Sequence, residues 1–197
     1  MTRSKRPLPA ERPTVNQLEA ELAREKYRHR YGRVMRSTIY TLVTVAAVAV
    51  LVATLWLPVL QIYGSSMTPT LDEGEIVVSL KGSDFRQGDI VAFYYNNKIL
   101  VKRVIAGPGR RVNIGEDGTV SVDGEPLNEP YLTEKAFGDC DIQLPYQVPD
   151  GRYFVMGDHR STSVDSRHSA VGCVASEQIV GKIVFRVWPL NALGGLD

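Results

Sequence analysis

Two segments of the chain carry groups that could together perform nucleophilic catalysis on a carbonyl. Ser66 stands within residues 64–71, where Pro69 restricts the backbone and could aim amide N–H groups at an oxyanion. Lys102 stands in an alternating apolar run, residues 99–105, on the same face as two apolar residues. A serine needs a nearby base, and a lysine whose burial lowers its pKa is one. By periodicity alone, a lysine that extends to water is the simpler interpretation.

A third segment, residues 156–167, places hydroxyl groups and opposite charges in a short loop directly after an apolar run. A hydroxyl of this loop could orient the amine of Lys102, and a carboxylate–guanidinium pair could fix the loop in place. A solvated surface turn explains the same composition equally well. A Ser/Lys site therefore requires a fold that brings the three segments together.

Short β-type runs separated by Gly, Asp and Asn dominate the chain after residue 61. The hairpin signal Asp117-Gly118 joins two of them. With strands this frequent and helix this scarce, we expect residues 61–197 to form a mostly β domain. Residues 125–151, rich in Pro and acidic side chains, indicate a long loop or small subdomain within it. The runs occupy residues 75–80, 89–95, 99–105, 112–114, 119–122, 153–156 and 183–188.

Residues 38–60 form an uncharged, strongly apolar stretch. At about 1.5 Å per residue it spans roughly 30 Å, the thickness of a bilayer's hydrocarbon core. It is longer than the apolar part of a cleavable signal peptide, so we expect a retained transmembrane anchor. Residues 1–37 carry ten Lys and Arg against four Asp and Glu, which predicts a cytoplasmic tail, with disorder in its Pro-rich first 14 residues. We therefore expect residues 61–197 to be extracytoplasmic.

Charge and cysteine spacing exclude two classes of site. Residues 61–197 carry more acidic than basic side chains, so we expect no nucleic-acid partner. Cys140 and Cys173 would both lie in an oxidising compartment, where a disulfide and two separate buried thiols are equally open. Neither cysteine stands in a metal-binding pattern such as CxxC or HExxH, so we expect no metal.

Read together, the motifs resemble in order and spacing the signature segments of type I signal peptidases. The resemblance runs from the anchor to about residue 190, and several ordered segments are far more specific than any one of them. They are Ser66-Met67-Thr68-Pro69-Thr70-Leu71, residues 88–91, residues 102–105 with 107–109, residues 157–158 with 163–167, and residues 181–182 with 188–189.

The resemblance implies a role for each residue that matches the family's motifs. Ser66 would attack the substrate carbonyl, its own amide would hold the oxyanion, and Lys102 would accept the hydroxyl proton. Ser163 would hydrogen-bond the lysine amine. Asp165 would pair with one of two arginines, Arg103 or Arg167. The family's β-rich fold, with the substrate bound as an added strand beside the Ser/Lys pair, and catalysis without a cofactor are implied as well.

The resemblance also implies a substrate and a setting. The substrates would be signal peptides of exported preproteins, with small residues at positions −1 and −3, cleaved at a lipid bilayer by a monomer. The substrate pockets would be lined by Ile62, Met67, Leu71 and Val101.

Three positions depart from the family's usual pattern. Gly64 stands where some relatives carry a serine that completes the oxyanion hole, His159 replaces an asparagine, and Arg110 replaces an aspartate.

Three rival interpretations use other features of the chain. The first is a Ser-His-Asp protease that combines Ser66 with a histidine and an aspartate, namely His159 or His168 and Asp158 or Asp165. The second is a non-catalytic relative that binds pilin-like substrates, although such proteins tend to lack the Ser/Lys pair. The third is a soluble self-cleaving repressor, against which the apolar anchor argues.

Overall fold

The computed structural model describes residues 14–82 and 84–196. It is mostly β with one long N-terminal helix, as the sequence predicts. The helix is α1 (Val15–Trp56), and short 3₁₀ turns cover Ser176–Gln178 and Leu190–Ala192. The strands are β1 (Val59–Gln61), β2 (Ile76–Leu80), β3 (Ile90–Tyr95), β4 (Lys98–Ala106), β5 (Arg111–Ile114), β6 (Val120–Val122), β7 (Glu125–Pro126), β8 (Tyr146–Gln147), β9 (Arg152–Met156), β10 (Val174–Ala175), β11 (Ile179–Trp188) and β12 (Gly194–Gly195).

Helix α1 contains most of the predicted anchor and part of the basic tail in one continuous element. Its apolar side chains, such as Val45 and Leu51, are exposed, and by length and composition it could cross a membrane. The helix ends at Trp56 because Pro58 disfavours helical backbone in the residue before it and has no N–H to donate. The division at residues 37 and 60 stays a prediction, and the expected disorder of the first 14 residues falls almost wholly on residues 1–13, outside the described chain.

The larger sheet has the strand order β1-β2-β11-β3-β4-β9-β10, with β12 added on β11. Its pairs are antiparallel, as short alternating runs joined by tight turns favour. Strand β4 pairs with β3 along residues 98–103, but with β9 only along residues 103–106. On the β9 side, residues 98–102 therefore face no strand in the described chain, and β1 likewise has one free edge.

The smaller sheet has the order β7-β6-β5-β8 and closes a second apolar core. Its β5–β6 hairpin turns at Gly118, whose φ of +79° suits glycine, and a Cβ there would lie only 2.5 Å from the Ala136 amide nitrogen. Residues 127–145 are irregular and pack beside this hairpin. The core that this sheet shares with β4 and β9 consists of Ile105, Ala106, Val112, Ile114, Val120, Val122, Val148, Phe154, Met156 and Cys173.

Both cysteines are free thiols, so the structure takes the second of the two alternatives that the sequence left open. Cys173 is buried in the smaller sheet's core, whereas Cys140 is half-buried in the irregular segment. Burial raises the pKa of Cys173 to about 11, so this thiol stays protonated and behaves as a small apolar side chain.

Candidate active site

Ser66 and Lys102, far apart in the chain, lie in contact in the structure. Nζ of Lys102 is 2.6 Å from Oγ of Ser66 and 3.2 Å from the carbonyl oxygen of Val101. The first distance is that of a short hydrogen bond between an amine and a hydroxyl. The arrangement places a base within reach of the proton that a nucleophilic serine must lose.

Burial of the Lys102 side chain determines the pKa of its amine. Strand β4 carries it into the interior opposite Val91 of β3, and only 3% of its surface remains exposed. The interpretation in which the lysine extends to water is therefore wrong. Desolvation lowers its pKa to about 8, against the attraction of Asp165 and Asp158, which raises it, while Arg167 lowers it slightly further. An appreciable fraction of the amine is thus neutral near neutral pH.

The turn that carries Ser66 is held by local hydrogen bonds and by the core beneath it. The amide of Thr68 donates to the Ser65 carbonyl, and the amide of Leu71 donates to the Met67 carbonyl at 2.9 Å. Met67 and Leu71 are buried in the apolar cluster that fills the larger sheet. The serine is therefore fixed by packing on one side of its turn and remains free to react on the other.

The loop of residues 157–167 contacts the Ser66 turn on the side opposite the apolar cluster. The amide of His159 donates to the Ser66 carbonyl at 3.1 Å. Thr70 Oγ1 donates to Oδ2 of Asp158 at 2.6 Å. Two hydrogen bonds to one loop thus hold the turn, one at the Ser66 carbonyl and one at the Thr70 side chain four residues later.

Two buried ion pairs hold this loop, and they settle the pairing that the sequence left open. Asp165 pairs with Arg167, with two hydrogen bonds of 2.9 Å, and also accepts the amide of Gly157. Arg103 instead pairs with Asp158, at 2.9 Å and 2.7 Å. The Asp158 partnership was missed by sequence reasoning. An available signal was the position of Arg103 beside Lys102 on a buried strand, where an arginine requires a carboxylate.

Ser163 differs from its expected role. Its side chain is buried, but its Oγ has no hydrogen-bond partner in the described structure, so the expected bond to Lys102 is not formed. The Lys102 amine is directed instead at Ser66 and at the Val101 carbonyl. Ser163 packs against Gly157, where any Cβ would collide with the Ser163 hydroxyl and come within 2.5 Å of the Ser66 carbonyl oxygen.

Neither histidine considered for a Ser-His-Asp triad is bonded to the Ser66 hydroxyl within the described ranges. Nδ1 of His159 lies 3.2 Å from the hydroxyl of Thr68. His168 lies near two exposed carboxylates, those of Asp139 and Asp141, at 3.9 Å and 3.7 Å. The described residues also include no group of three or more His, Cys, Asp or Glu side chains placed to hold a metal ion.

An open, largely apolar cleft of about 810 Å³ begins at the Ser/Lys pair. One wall is β1 with the residues that follow it, and the other is the unpaired half of β4. Of the four predicted pocket residues, Leu71 does not line the cleft, because it is fully buried in the apolar cluster below. The lining consists of residues 59–64, Ser66, Met67 and residues 98–102 and so includes the other three, Ile62, Met67 and Val101.

Comparison with known proteins gives consistent matches. The family model described as "Signal peptidase, peptidase S26" matches residues 35–188. Signal peptidase IB of Staphylococcus aureus (strain COL) is 40% identical over 151 residues, which cover 66% of this chain and 77% of that protein. Signal peptidase I of Bacillus licheniformis is 36% identical over 147 residues, covering 68% and 78%. The crystal structure of a signal peptidase I from Enterococcus faecalis V583 is 30% identical, with a TM-score of 0.44, and covers 50% of this chain and 96% of that one.

Gly157→Ala tests the close packing of the two segments that meet at Ser66. We expect a loss of about 1–3 kcal/mol in the free energy of unfolding, because the new methyl group overpacks the contact between Ser163 and the Ser66 carbonyl. Gly107→Ala is the matched control, since a Cβ there meets only Tyr153 at an ordinary 3.8 Å. Denaturant unfolding of both variants measures the difference, and equal stability of the two would contradict the described contact.

Proposed function

The chain belongs to the signal peptidase family of peptidase S26, and on that premise we propose that Ser66 and Lys102 form its catalytic dyad. The reaction is the removal of signal peptides from exported preproteins by a serine peptidase. The observation that carries the proposal is the 2.6 Å distance between the Lys102 amine and the Ser66 hydroxyl. The lysine that makes this contact is almost wholly buried.

The proposed mechanism passes through an acyl-enzyme. Neutral Lys102 accepts the hydroxyl proton as Ser66 Oγ attacks the scissile carbonyl, and the resulting ammonium gives that proton to the leaving amine. Collapse of the tetrahedral intermediate leaves an ester on Ser66. The amine, neutral again, then removes a proton from the water that attacks the ester, and it returns that proton to Ser66 Oγ as the acyl product leaves. The first proton transfer uses the short contact between Nζ of Lys102 and Oγ of Ser66.

We propose the Ser66 amide as a donor to the oxyanion. In the described structure this N–H donates to no protein group, so it is available for a ligand. The fixed turn around it supplies the preorganisation that such a donor requires. Gly64 has no hydroxyl and adds no side-chain donor beside it.

The cleft supports binding of the signal peptide as an extended strand. The free edge of β1 and the unpaired residues 98–102 of β4 both offer backbone groups that a peptide could pair with. Ile62 and Met67 are themselves almost completely buried and occupy the cleft floor near Ser66. We propose that they, with Val101, leave room only for small side chains at positions −1 and −3.

The apolar helix and the chain's membership of the signal peptidase family fit a membrane-anchored protein. We propose further that the N-terminus is cytoplasmic, because six basic residues stand close before the uncharged span. The catalytic domain would then meet its substrate outside, at the surface of the lipid bilayer. Because one chain supplies both dyad residues and the cleft, we propose that a monomer is sufficient for cleavage. The excess of acidic side chains in residues 61–197 disfavours binding to nucleic acid.

Ser66→Ala and Lys102→Ala each remove one half of the dyad, and we expect each to lower kcat/KM by at least about 10³-fold. The assay is cleavage of a purified preprotein with an Ala-x-Ala site by the full chain in detergent. The matched controls are Ser65→Ala, the preceding exposed serine, and Lys81→Ala, an exposed lysine that does not line the cleft; both should cleave nearly as well as wild type. Activity that survives in Lys102→Ala but is lost in His159→Ala would contradict the dyad.

The pH dependence of cleavage reports the protonation of the proposed base. Since only the neutral amine accepts a proton, kcat/KM should rise about tenfold per pH unit at acidic pH and level off above the lowered pKa. The midpoint should lie near the Lys102 pKa of about 8. A profile that levels off near the ordinary histidine pKa of about 6.5 would instead indicate an imidazole base.

A further inference from the structure

A cluster of buried side chains behind the dyad has no part in the proposed mechanism. Three of its members, Arg103, Asp158 and Arg160, are no more than 3% exposed, and Glu129 is 9% exposed. Tyr131 lies among them, half-buried. Glu129 and Tyr131 come from the irregular segment of residues 127–145, whereas the other three flank the dyad in the fold. Burying this many charges costs free energy unless each is paired, and each of these side chains has a partner.

Tyr131 contacts the arginine that follows the catalytic lysine in the chain. The guanidinium carbon of Arg103 lies 3.9 Å from the centre of the Tyr131 ring, in the geometry of a cation–π interaction. The same guanidinium is bonded to Asp158 and donates to the Gly88 carbonyl at 2.8 Å. The ring therefore covers the face of a guanidinium whose edge already makes four hydrogen bonds, to Asp158, Gly88 and Thr70, and this fixes the backbone position next to Lys102.

The hydroxyl of Tyr131 is connected by hydrogen bonds to the loop of residues 157–167, which holds the Ser66 turn. It donates to Oε1 of Glu129 at 2.9 Å, and burial raises the pKa of Tyr131, so the phenol keeps its proton. Glu129 in turn binds Arg160 through two contacts, of 2.5 Å and 3.2 Å. Arg160 donates through Nε to the carbonyl of Gly157, the glycine that packs against Ser163 and Ser66. One tyrosine thus connects the lysine strand with the loop that grips the serine turn.

We infer that Tyr131 is a positioning residue for signal-peptide cleavage, acting through Arg103 on Lys102 and through Glu129 and Arg160 on the loop that holds Ser66. The inference rests on the proposed function. Tyr131 is not among the residues that line the cleft and does not contact the dyad, so it is not a catalytic residue. Its ring and its hydroxyl hold separate partners, which allows the two connections to be tested separately.

The midpoint of the pH profile is a readout that would not change if Tyr131 only stabilised the fold. The groups that act on the Lys102 amine are the Ser66 hydroxyl, the carboxylates of Asp158 and Asp165, and the guanidinium of Arg167. Without the ring, Arg103 would neutralise Asp158 less completely, and water would reach the lysine more easily. Both changes favour the ammonium form, so they shift the midpoint of the pH profile in the same direction, upward.

The experiment compares Tyr131→Leu, Tyr131→Phe and Tyr146→Leu in the full chain, in detergent, with the preprotein as substrate. Tyr146→Leu is the matched control, because Tyr146 is a half-buried tyrosine that packs on Phe154 in the other core and contacts none of the site's charges. For each variant, kcat, KM, the pH profile of kcat/KM and thermal unfolding are measured on the same preparation.

In Tyr131→Leu we expect kcat to fall roughly tenfold with little change in KM, because the reacting groups lose their alignment while the cleft is intact. We also expect the midpoint of its pH profile to rise by about half a pH unit. Tyr131→Phe, which keeps the ring over Arg103, should restore the wild-type midpoint. Tyr146→Leu should lower the unfolding temperature but leave kcat and the midpoint unchanged.

Two results would overturn the inference, and they are distinguishable from failure of the proposed function. If wild type cleaves the preprotein but Tyr131→Leu matches Tyr146→Leu in kcat and in midpoint, Tyr131 is only structural. If Tyr131→Phe shifts the midpoint as far as Tyr131→Leu does, the ring is not the positioning group. If wild type itself fails to cleave, the proposed function is wrong and the positioning role fails with it.

Discussion

Burying a lysine amine costs free energy, and the rest of this site is arranged to maintain that burial. The ammonium form of Lys102 would be strongly hydrated in water, so removing water from it favours the neutral amine. A strand in the middle of the larger sheet, β4, supplies the required rigidity, because β3 pairs with its residues 98–103 while β9 leaves its first half uncovered. The uncovered half is also the wall of the cleft. One break in strand pairing therefore serves both the base and the substrate.

The carboxylates near Lys102 would defeat this arrangement if they were unpaired. Asp158 and Asp165 both attract the ammonium form and raise the lysine pKa. Each is engaged by a buried arginine, Arg103 and Arg167 respectively, so much of its charge is compensated locally. The acids can then fix the loop through directional hydrogen bonds without holding a proton on the base. A site with the same acids and no arginines would have a higher lysine pKa.

Sequence reasoning recovered the longer strands and the closeness of Ser66 and Lys102, but not the way in which charges pair. Alternation on residues 99–105 placed Lys102 on an apolar face, yet periodicity could not distinguish burial from a side chain that reaches water. Only the ordered motifs favoured burial. Asp165 could not be assigned between two arginines, because its own loop supplies Arg167 while β4 brings Arg103 to a carboxylate of the same loop, and periodicity does not distinguish them. Leu71 was expected in a pocket since it lies near Ser66 in sequence, whereas the turn directs it into the core.

The central claim is the lowered pKa of Lys102, about 8, which leaves an appreciable fraction of the amine neutral near physiological pH. Its direct measurement is an NMR titration of the full chain in detergent micelles, with lysine side chains labelled at Cε and the Lys102 signal assigned by its loss in Lys102→Ala. We expect a midpoint near 8, well below the ordinary value for a lysine side chain. A Lys102 signal that titrates near the ordinary lysine pKa of about 10.4 would contradict it, because the amine would then be protonated where the reaction needs it neutral.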